Sequence, residues 1–589
     1  MSKLCYKGPA KIKANQLFRC TLTVILEETI SAGGLICIAS RHVSDIGLAQ
    51  HKNPDDDNYV DFSSSNAFVR LELVIDPGWD RHPWNRGFSL AVTEGALQKG
   101  DMVTIEMGGN RGFRAQSFSE TSSGFRLGIK RYADDAWTVS PAEPLFEVTG
   151  AEAVRIKAYV KDINNEDDKK LLCVKTEDAY SNIALAEQIN LDMLLDDTAY
   201  LGSLTVTEGT AAAAIAVPRD NQWHRITLSS PDGKFFARTN PFGPPLVENL
   251  KLYFGDIHAQ SGLCDGTNSP EYLYSYAKTA AGLDFASVTS HDMELDAADW
   301  EAIQKATKQA NQPNEFVTFL GYEWSGGSEA GGDHNIYFKS DSGPLIRNTV
   351  YPSQWCVPHV QVKDCNLTET ISRLKQASGE FMVIPHCGGR IANFDYYDPS
   401  VMHVFEIHST HKNYENVWRN AVERGLQLGL IGGSDDHRGM IGDCALTARD
   451  WFFSGHCGLI CVYAKSLTRE ALWDAIQKRH TYATNGPHIA LSFTLGQAIM
   501  GDEVKLNTGS LLQFSFKVVC DRYFDKAELY RNNEIIQTFS ELENQIQEYE
   551  GSYEAAVEEG HSLYYLKILQ IDGGTAWSSP IFVNGTQRS

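Results

Sequence analysis

The hydrophobic period changes twice along this 589-residue chain, each time at a proline- and glycine-rich break, and that change limits its possible folds more than any other feature. Up to about residue 245 the apolar segments are short and alternating, as in Phe18 to Leu26, Phe68 to Ile75 and Val154 to Tyr159, with Gly, Asn, Asp and Pro between them. Strands with one buried face give this pattern, so a β-sandwich region is expected over 1–245, and its length suggests two packed sandwiches dividing near residue 150. Pro231-Asp232-Gly233 and Pro241-Phe242-Gly243-Pro244-Pro245 close the region. From 246 to 488 apolar runs alternate with helical patterns, the mark of parallel strands joined by crossover helices, in a barrel or an open sheet. One helix is predicted from a cap at Asn268 or Ser269, with Pro270 in first position, to a stop at Gly282. Others are predicted from Asp296 and over 366–377, 413–423 and 468–478. After Asn485-Gly486-Pro487 period two returns, predicting a C-terminal sandwich over 489–589.

This length exceeds a single hydrophobic core, and 42% hydrophobic residues give each unit enough to bury. A net charge of -23, from 75 acidic and 52 basic residues, argues against nucleic acid as a partner, since phosphate backbones need clustered Lys and Arg. No run is long and apolar enough to cross a bilayer, and the opening Met-Ser-Lys-Leu-Cys-Tyr-Lys-Gly-Pro lacks the apolar centre of a secretion signal. A cytoplasmic protein without a membrane partner is expected. Twelve cysteines without paired short spacings read as reduced, buried thiols.

The chemistry is concentrated in the middle segment, where 12 of the 17 histidines fall. Position says more than number. The run Leu252 to Gly255 leads into Asp256-Ile257-His258-Ala259-Gln260, and Phe285 to Thr289 into Ser290-His291-Asp292. Phe316 to Leu320 ends at Glu323, Phe381 to Ile384 at Pro385-His386, Val401 to Phe405 at Glu406-Ile407-His408, and Leu428 to Ile431 at Ser434-Asp435-Asp436-His437. His334 and Asn335 open a further apolar run. Strand ends in parallel α/β folds converge on one face. Imidazole and carboxylate converging there are the ligand set of Zn, Mn or Fe.

The order of these residues resembles the PHP (polymerase and histidinol phosphatase) metallohydrolases, in particular a large branch known as a domain of unknown function. The family succession of His-x-His, Asp, His, Glu, two further His and a final Asp-x-His falls on His258, Asp265, His291, Glu323, His334, His386, Asp435 and His437. Ala576-Trp577-Ser578-Ser579-Pro580-Ile581 is similar to the branch's closing strand. Two positions depart from the pattern: Gln260 stands where most members have the second His of the pair, and Ser290 where an Asp usually precedes the His. The resemblance implies a distorted PHP-type β/α barrel flanked by N-terminal and C-terminal β-sandwich domains, holding two or three divalent ions. Gln260 counts among the ligands as a weaker one.

A centre of this kind lowers the pKa of a bound water toward neutrality, so the attacking group is expected to be a metal-bound hydroxide acting on a small-molecule substrate. The resemblance favours a phosphoesterase. An amide or cyclic-amide hydrolase is the alternative enzyme reading, and a saccharide- or protein-binding module on a degenerate barrel the non-catalytic one. Glu323 is expected to bridge ions, Asp435 to bind metal and take the proton, and His437 to complete that site. Arg390 and Arg438 are placed to enter the mouth and clamp a phosphate or carboxylate. Glu406 and His408 read as groups that brace the ligands or touch substrate, and Asp256 and Asp292 as groups that orient neighbouring imidazoles.

Overall fold

A computed structural model describes residues 1–587 apart from 76–82, 141–144, 164, 165, 167, 185–187, 348–364, 378, 444–455 and 542–544. Strand outweighs helix among the described residues, 45% against 10%.

In the N-terminal region, a four-stranded antiparallel sheet (Lys3–Lys7, Cys20–Ile25, Met102–Met107, Val60–Ser64) faces a five-stranded one built on Leu35–Ser40, Arg86–Glu94 and Arg126–Lys130. Strict alternation buries Cys20, Leu22 and Val24 between them while the intervening residues face outward. The apolar side chains from Ile12 to Val148 gather in one core, and those from Ile156 to Phe242 in another. This second core lies between the sheet Arg155–Asp162, Lys169–Glu177, Thr210–Ala216 and the sheet holding Ile189–Leu195 and Ile226–Ser229.

The middle segment begins with β1 (Lys251–Asp256), which pairs in parallel with β2 (Phe285–Ala286), and β2 in turn with β3 (Val317–Thr318). Helices α1 (Pro270–Thr279) and α2 (Ala297–Ala310) connect them. Both open at the predicted caps: the Ser269 side chain accepts from the Tyr272 N–H, and Asp296 forms a reciprocal capping box with Asp299. Beyond β3 the topology departs from a barrel. β4 (Leu320–Ser325) turns back into β5 (Asp333–Phe338), which pairs antiparallel with it and with β6 (Phe381–Pro385). β7 (Val404–His408) and β8 (Gly429–Gly432) pair in parallel with each other. β9 (Leu459–Ala464) runs antiparallel to β1 on one edge and to β10 (Thr481–Thr484) on the other.

The distorted PHP-type β/α barrel expected from the resemblance is therefore not formed, because the described strands do not close a ring. Two physical causes account for the difference. The connection over 326–332 is short and holds four glycines, and a Cβ on Gly332 would lie 2.1 Å from the Ile391 carbonyl oxygen, so the chain makes a hairpin where a barrel needs a crossover helix. Both edges of β9 are already paired, so β8 has no edge to join. The sheet instead runs on from β10 through Thr575–Ser578 and Gly560–Gln570 into the C-terminal sandwich, giving an eleven-stranded sheet. The C-terminal core accordingly includes Cys461, Tyr463 and Tyr482 of the middle segment.

Helices α3 (Leu367–Ala377), α4 (Glu415–Glu423) and α5 (Arg469–Gln477) pack outside these strands. The described cysteines are all free thiols. No described helix is long and apolar enough to cross a membrane.

Candidate metal centre

Seven of the ten strands of the middle segment carry or lead into a polar residue beside their apolar run, and these residues meet. His258 follows β1, His291 follows β2, Glu323 lies on β4, Asp333 opens β5, His386 follows β6, Glu406 lies on β7, and Asp435 and His437 follow β8. All are buried, together with Asp265 from the loop after β1.

Glu323 is central. Its Oε2 lies 3.4 Å from His258 Nε2 and 3.4 Å from His291 Nδ1, while its Oε1 lies 3.5 Å from His386 Nε2. Asp435 Oδ1 is 3.2 Å from His258 Nε2. Asp265 Oδ1 sits 3.6 Å from His291 Nε2 and 3.4 Å from His437 Nε2. Four triads each bring their own ligand atoms within 4.8 Å of one another: Asp265, His291 and His437, which share no member with the rest, and three that overlap, His258, Glu323, Asp435; Glu323, Asp333, His386; and His258, His386, Glu406. Several groups of His, Asp and Glu can thus hold metal ions.

Electrostatics bear on whether a cation fits. Burial pushes Glu323 up to about 8 and Asp333 up to about 6, because packed carboxylates cannot all stay ionised without positive charge. Burial pulls His291 down to about 3, and burial with the neighbouring His258 charge takes His386 well below the usual range. Burial also opposes a charge on His437, yet Asp265 and Asp435 outweigh it and raise the imidazole to about 9. Neither ring nitrogen of His386 finds a hydrogen-bond partner among the described residues. The cluster is thus mixed: His258 and Asp435 sustain each other's charge, whereas the depressed imidazoles of His291 and His386 beside Glu323 and Asp333, which resist ionisation, match a divalent cation.

The expected residues divide into those within the triads and those outside. His258, Asp265, His291, Glu323, His386, Asp435 and His437 are together. His334 is not: Glu323 faces Asn335 across the β4–β5 ladder, so period two turns Asp333 toward the triads and His334 to the opposite face. There its ring meets Trp324 at 6.4 Å and its Nδ1 lies 3.2 Å from the Gly332 carbonyl oxygen. Gln260 does reach the centre, with its Nε2 donating to Glu323 Oε2 at 2.5 Å. Glu406 holds His258 Nδ1 at 3.0 and 3.1 Å, which turns Nε2 inward. His408 lies apart, 3.0 Å from the His456 carbonyl oxygen and stacked on Trp577 at 5.9 Å.

Asp256 and Asp292, expected to orient neighbouring imidazoles, accept from backbone N–H groups. Asp256 accepts from the backbone N–H groups of His258 (3.1 Å), Ser434 (3.0 Å) and Gly442 (2.8 Å), and Asp292 from that of Ser325 (3.1 Å). Asp256 ties the loops after β1 and β8 together, and Asp292 ties the turn after β2 to the end of β4. Arg390 enters the cluster, with Nε 2.5 Å from Asp333 Oδ1 and Nη2 3.8 Å from Glu323 Oε1. Arg438 lies over the Phe118 ring at 5.6 Å. Sequence reasoning missed Asp333 as a participant and also His411, whose Nε2 lies 2.9 Å from Asp435 Oδ2.

Comparison with known proteins adds similarity without a described activity. A family profile, "Protein of unknown function (DUF3604)", matches residues 267–394 and 444–513. An uncharacterized protein of Chlamydia pneumoniae is 23% identical over 551 residues, covering 83% of this chain and 84% of that protein. One of Chlamydia trachomatis serovar D is 21% identical over 556 residues at the same coverage. Among solved structures, the apo β-glucuronidase 3 of Bacteroides uniformis is 9% identical and covers 98% of this chain and 79% of its own, at a TM-score of 0.15. The fibronectin(III)-like modules of Clostridium thermocellum CbhA are 15% identical over 15% of this chain and 87% of theirs, at a TM-score of 0.11. Scores this low carry no structural argument.

Proposed function

We propose that this chain is a metal-dependent hydrolase acting on a small phosphate ester, with a site similar to that of the PHP metallohydrolases in its ligand order. The observation that carries the reading is His386, fully enclosed, without a hydrogen-bond partner for either nitrogen among the described residues, and shared by two of the four triads. Asp265, His291 and His437 would hold one ion. His258, Glu323, Asp333, His386 and Asp435 would hold one or two more, with the two oxygens of Glu323 serving both sides. Mn, Zn and Fe all suit these donors. Such ions, when bound, acidify water and neutralise charge on phosphoryl oxygens.

The remaining work belongs to the chain. Glu406 and Gln260 orient His258 and Glu323 through the hydrogen bonds described above. Arg390 presents guanidinium N–H groups at the edge of the cluster, where a phosphate offers matching oxygens. Asp435 and His411 form a pair able to hold a proton between Oδ2 and Nε2.

Elemental analysis of the purified chain, followed by a hydrolysis screen of phosphate esters beside amides, tests this reading. At least one equivalent of Mn, Zn or Fe and release of inorganic phosphate are expected, both lost in His386→Ala. A metal-free protein overturns the metal assignment, and a metal-loaded one that cleaves amides alone overturns the substrate class.

A further inference from the structure

The loop that carries Asp265 is not held by the middle segment alone. Residues 262–266 curl around a guanidinium supplied from the N-terminal sandwich: Arg41 Nη1 donates to the carbonyl oxygens of Cys264 (2.8 Å) and Gly266 (3.0 Å), and Nη2 to that of Gly262 (2.8 Å). The other side of the same guanidinium is also engaged. Its Nε lies 3.7 Å from Glu120 Oε1, and its plane covers the Trp84 ring at 4.9 Å. The loop closes at its base through the Gly262 N–H to the Asn268 carbonyl oxygen (2.6 Å), and Asn268 Oδ1 accepts from the Thr121 N–H (2.9 Å) and Oγ1 (3.1 Å) of the sandwich. A Cβ on Gly266 would lie 2.2 Å from the Gln260 carbonyl oxygen, so the curl is as tight as the backbone permits.

We infer that Arg41 is a positioning residue of the metal centre, and that the N-terminal sandwich fixes Asp265 so that it completes the triad with His291 and His437. The inference rests on the metal reading above. Its chemical basis is the planar fork: one guanidinium satisfies three carbonyls converging from a single turn, which an ammonium or a neutral side chain cannot do in the same geometry. Without it three carbonyls lose their donors, the turn relaxes, and Asp265 leaves the reach of both imidazoles. The ions beside Glu323 have no ligand on this loop except through Gln260 and should stay.

Metal content and Mn2+ reloading affinity of the full chain test this in Arg41→Ala, Arg41→Lys and His437→Ala. Arg131→Ala, on an exposed arginine of the same sandwich paired with Asp135, is the control. Arg41→Ala should match His437→Ala by losing one ion per chain, with reloading at that position weaker by on the order of 10- to 100-fold. Arg41→Lys keeps a charge beside Glu120 and Trp84, so it remains informative if the alanine variant does not fold, and it should fall between wild type and His437→Ala. Wild-type stoichiometry and affinity in Arg41→Lys or a folded Arg41→Ala overturn the inference, as does an equal loss in Arg131→Ala. A wild-type chain that takes up no Mn2+ fails at the earlier step and overturns the metal reading itself.

Discussion

Enclosed and neutral, His386 offers a lone pair with no hydrogen-bond donor to meet it among the described residues. Arg390 is its natural counterpart on the substrate side. Arg390→Gln should leave metal content near the wild-type value while lowering kcat/KM for a phosphate ester by on the order of 100-fold, as loss of one charge-stabilising donor typically does. Steady-state kinetics beside elemental analysis checks this. Residue identities of this kind were legible where a ligand type followed an apolar run, as at His258, His291 and His386. They were not legible at Asp333, because the choice between it and His334 depends on the register of β5 against Glu323, which neither residue reveals locally. His411 depends on a partner in a later loop, Asp435.

Helices could be read from their ends, since a cap is a local contact: Ser269 before Pro270, Asp296 before α2 and Thr468 before α5 all accept from the first turn. Strand direction is not local, and the β4–β5 hairpin escaped prediction for that reason. The segment after Asn485-Gly486-Pro487 shows a further property of an element. Its His488 ring sits 4.4 Å from Phe254 and 4.9 Å from Tyr159, and burial pulls its pKa down to about 4. The unfolded chain therefore takes up the proton first. The stability contributed is complete above about pH 6.5 and falls as pH drops toward 4, by at most roughly 1.4 kcal/mol per pH unit. Urea midpoints measured between those pH values should decline in the wild type and decline less in His488→Phe. Equal slopes would remove His488 as a contributor.

At the scale of the molecule, the units are joined through buried charge as well as apolar contact. Asp443, beyond the loop that bears Asp435 and His437, receives Lys157 at 2.5 Å and Tyr159 at 3.1 Å, and also pairs with Lys175, all three from the second sandwich. Lys175 is fully buried and its other partner, Glu177 at 2.7 Å, is shared with Arg155 and Lys157, so Asp443→Asn leaves three cations on one carboxylate and should cost about 3 kcal/mol in a denaturation experiment. The change in period at the two breaks was plain in the sequence. Closure of a barrel was not a property of any one segment, and the two paired edges of β9 decided against it. The same shared sheet has a temporal consequence during synthesis. Because β10 takes its outer hydrogen bonds from Ala576, Trp577 and Ser578, the frame behind the site's loops waits until a strand about ninety residues further along has left the ribosome. A nascent chain stalled before that strand would emerge with His258, His291, His386 and His437 and still lack the wall against which they are set.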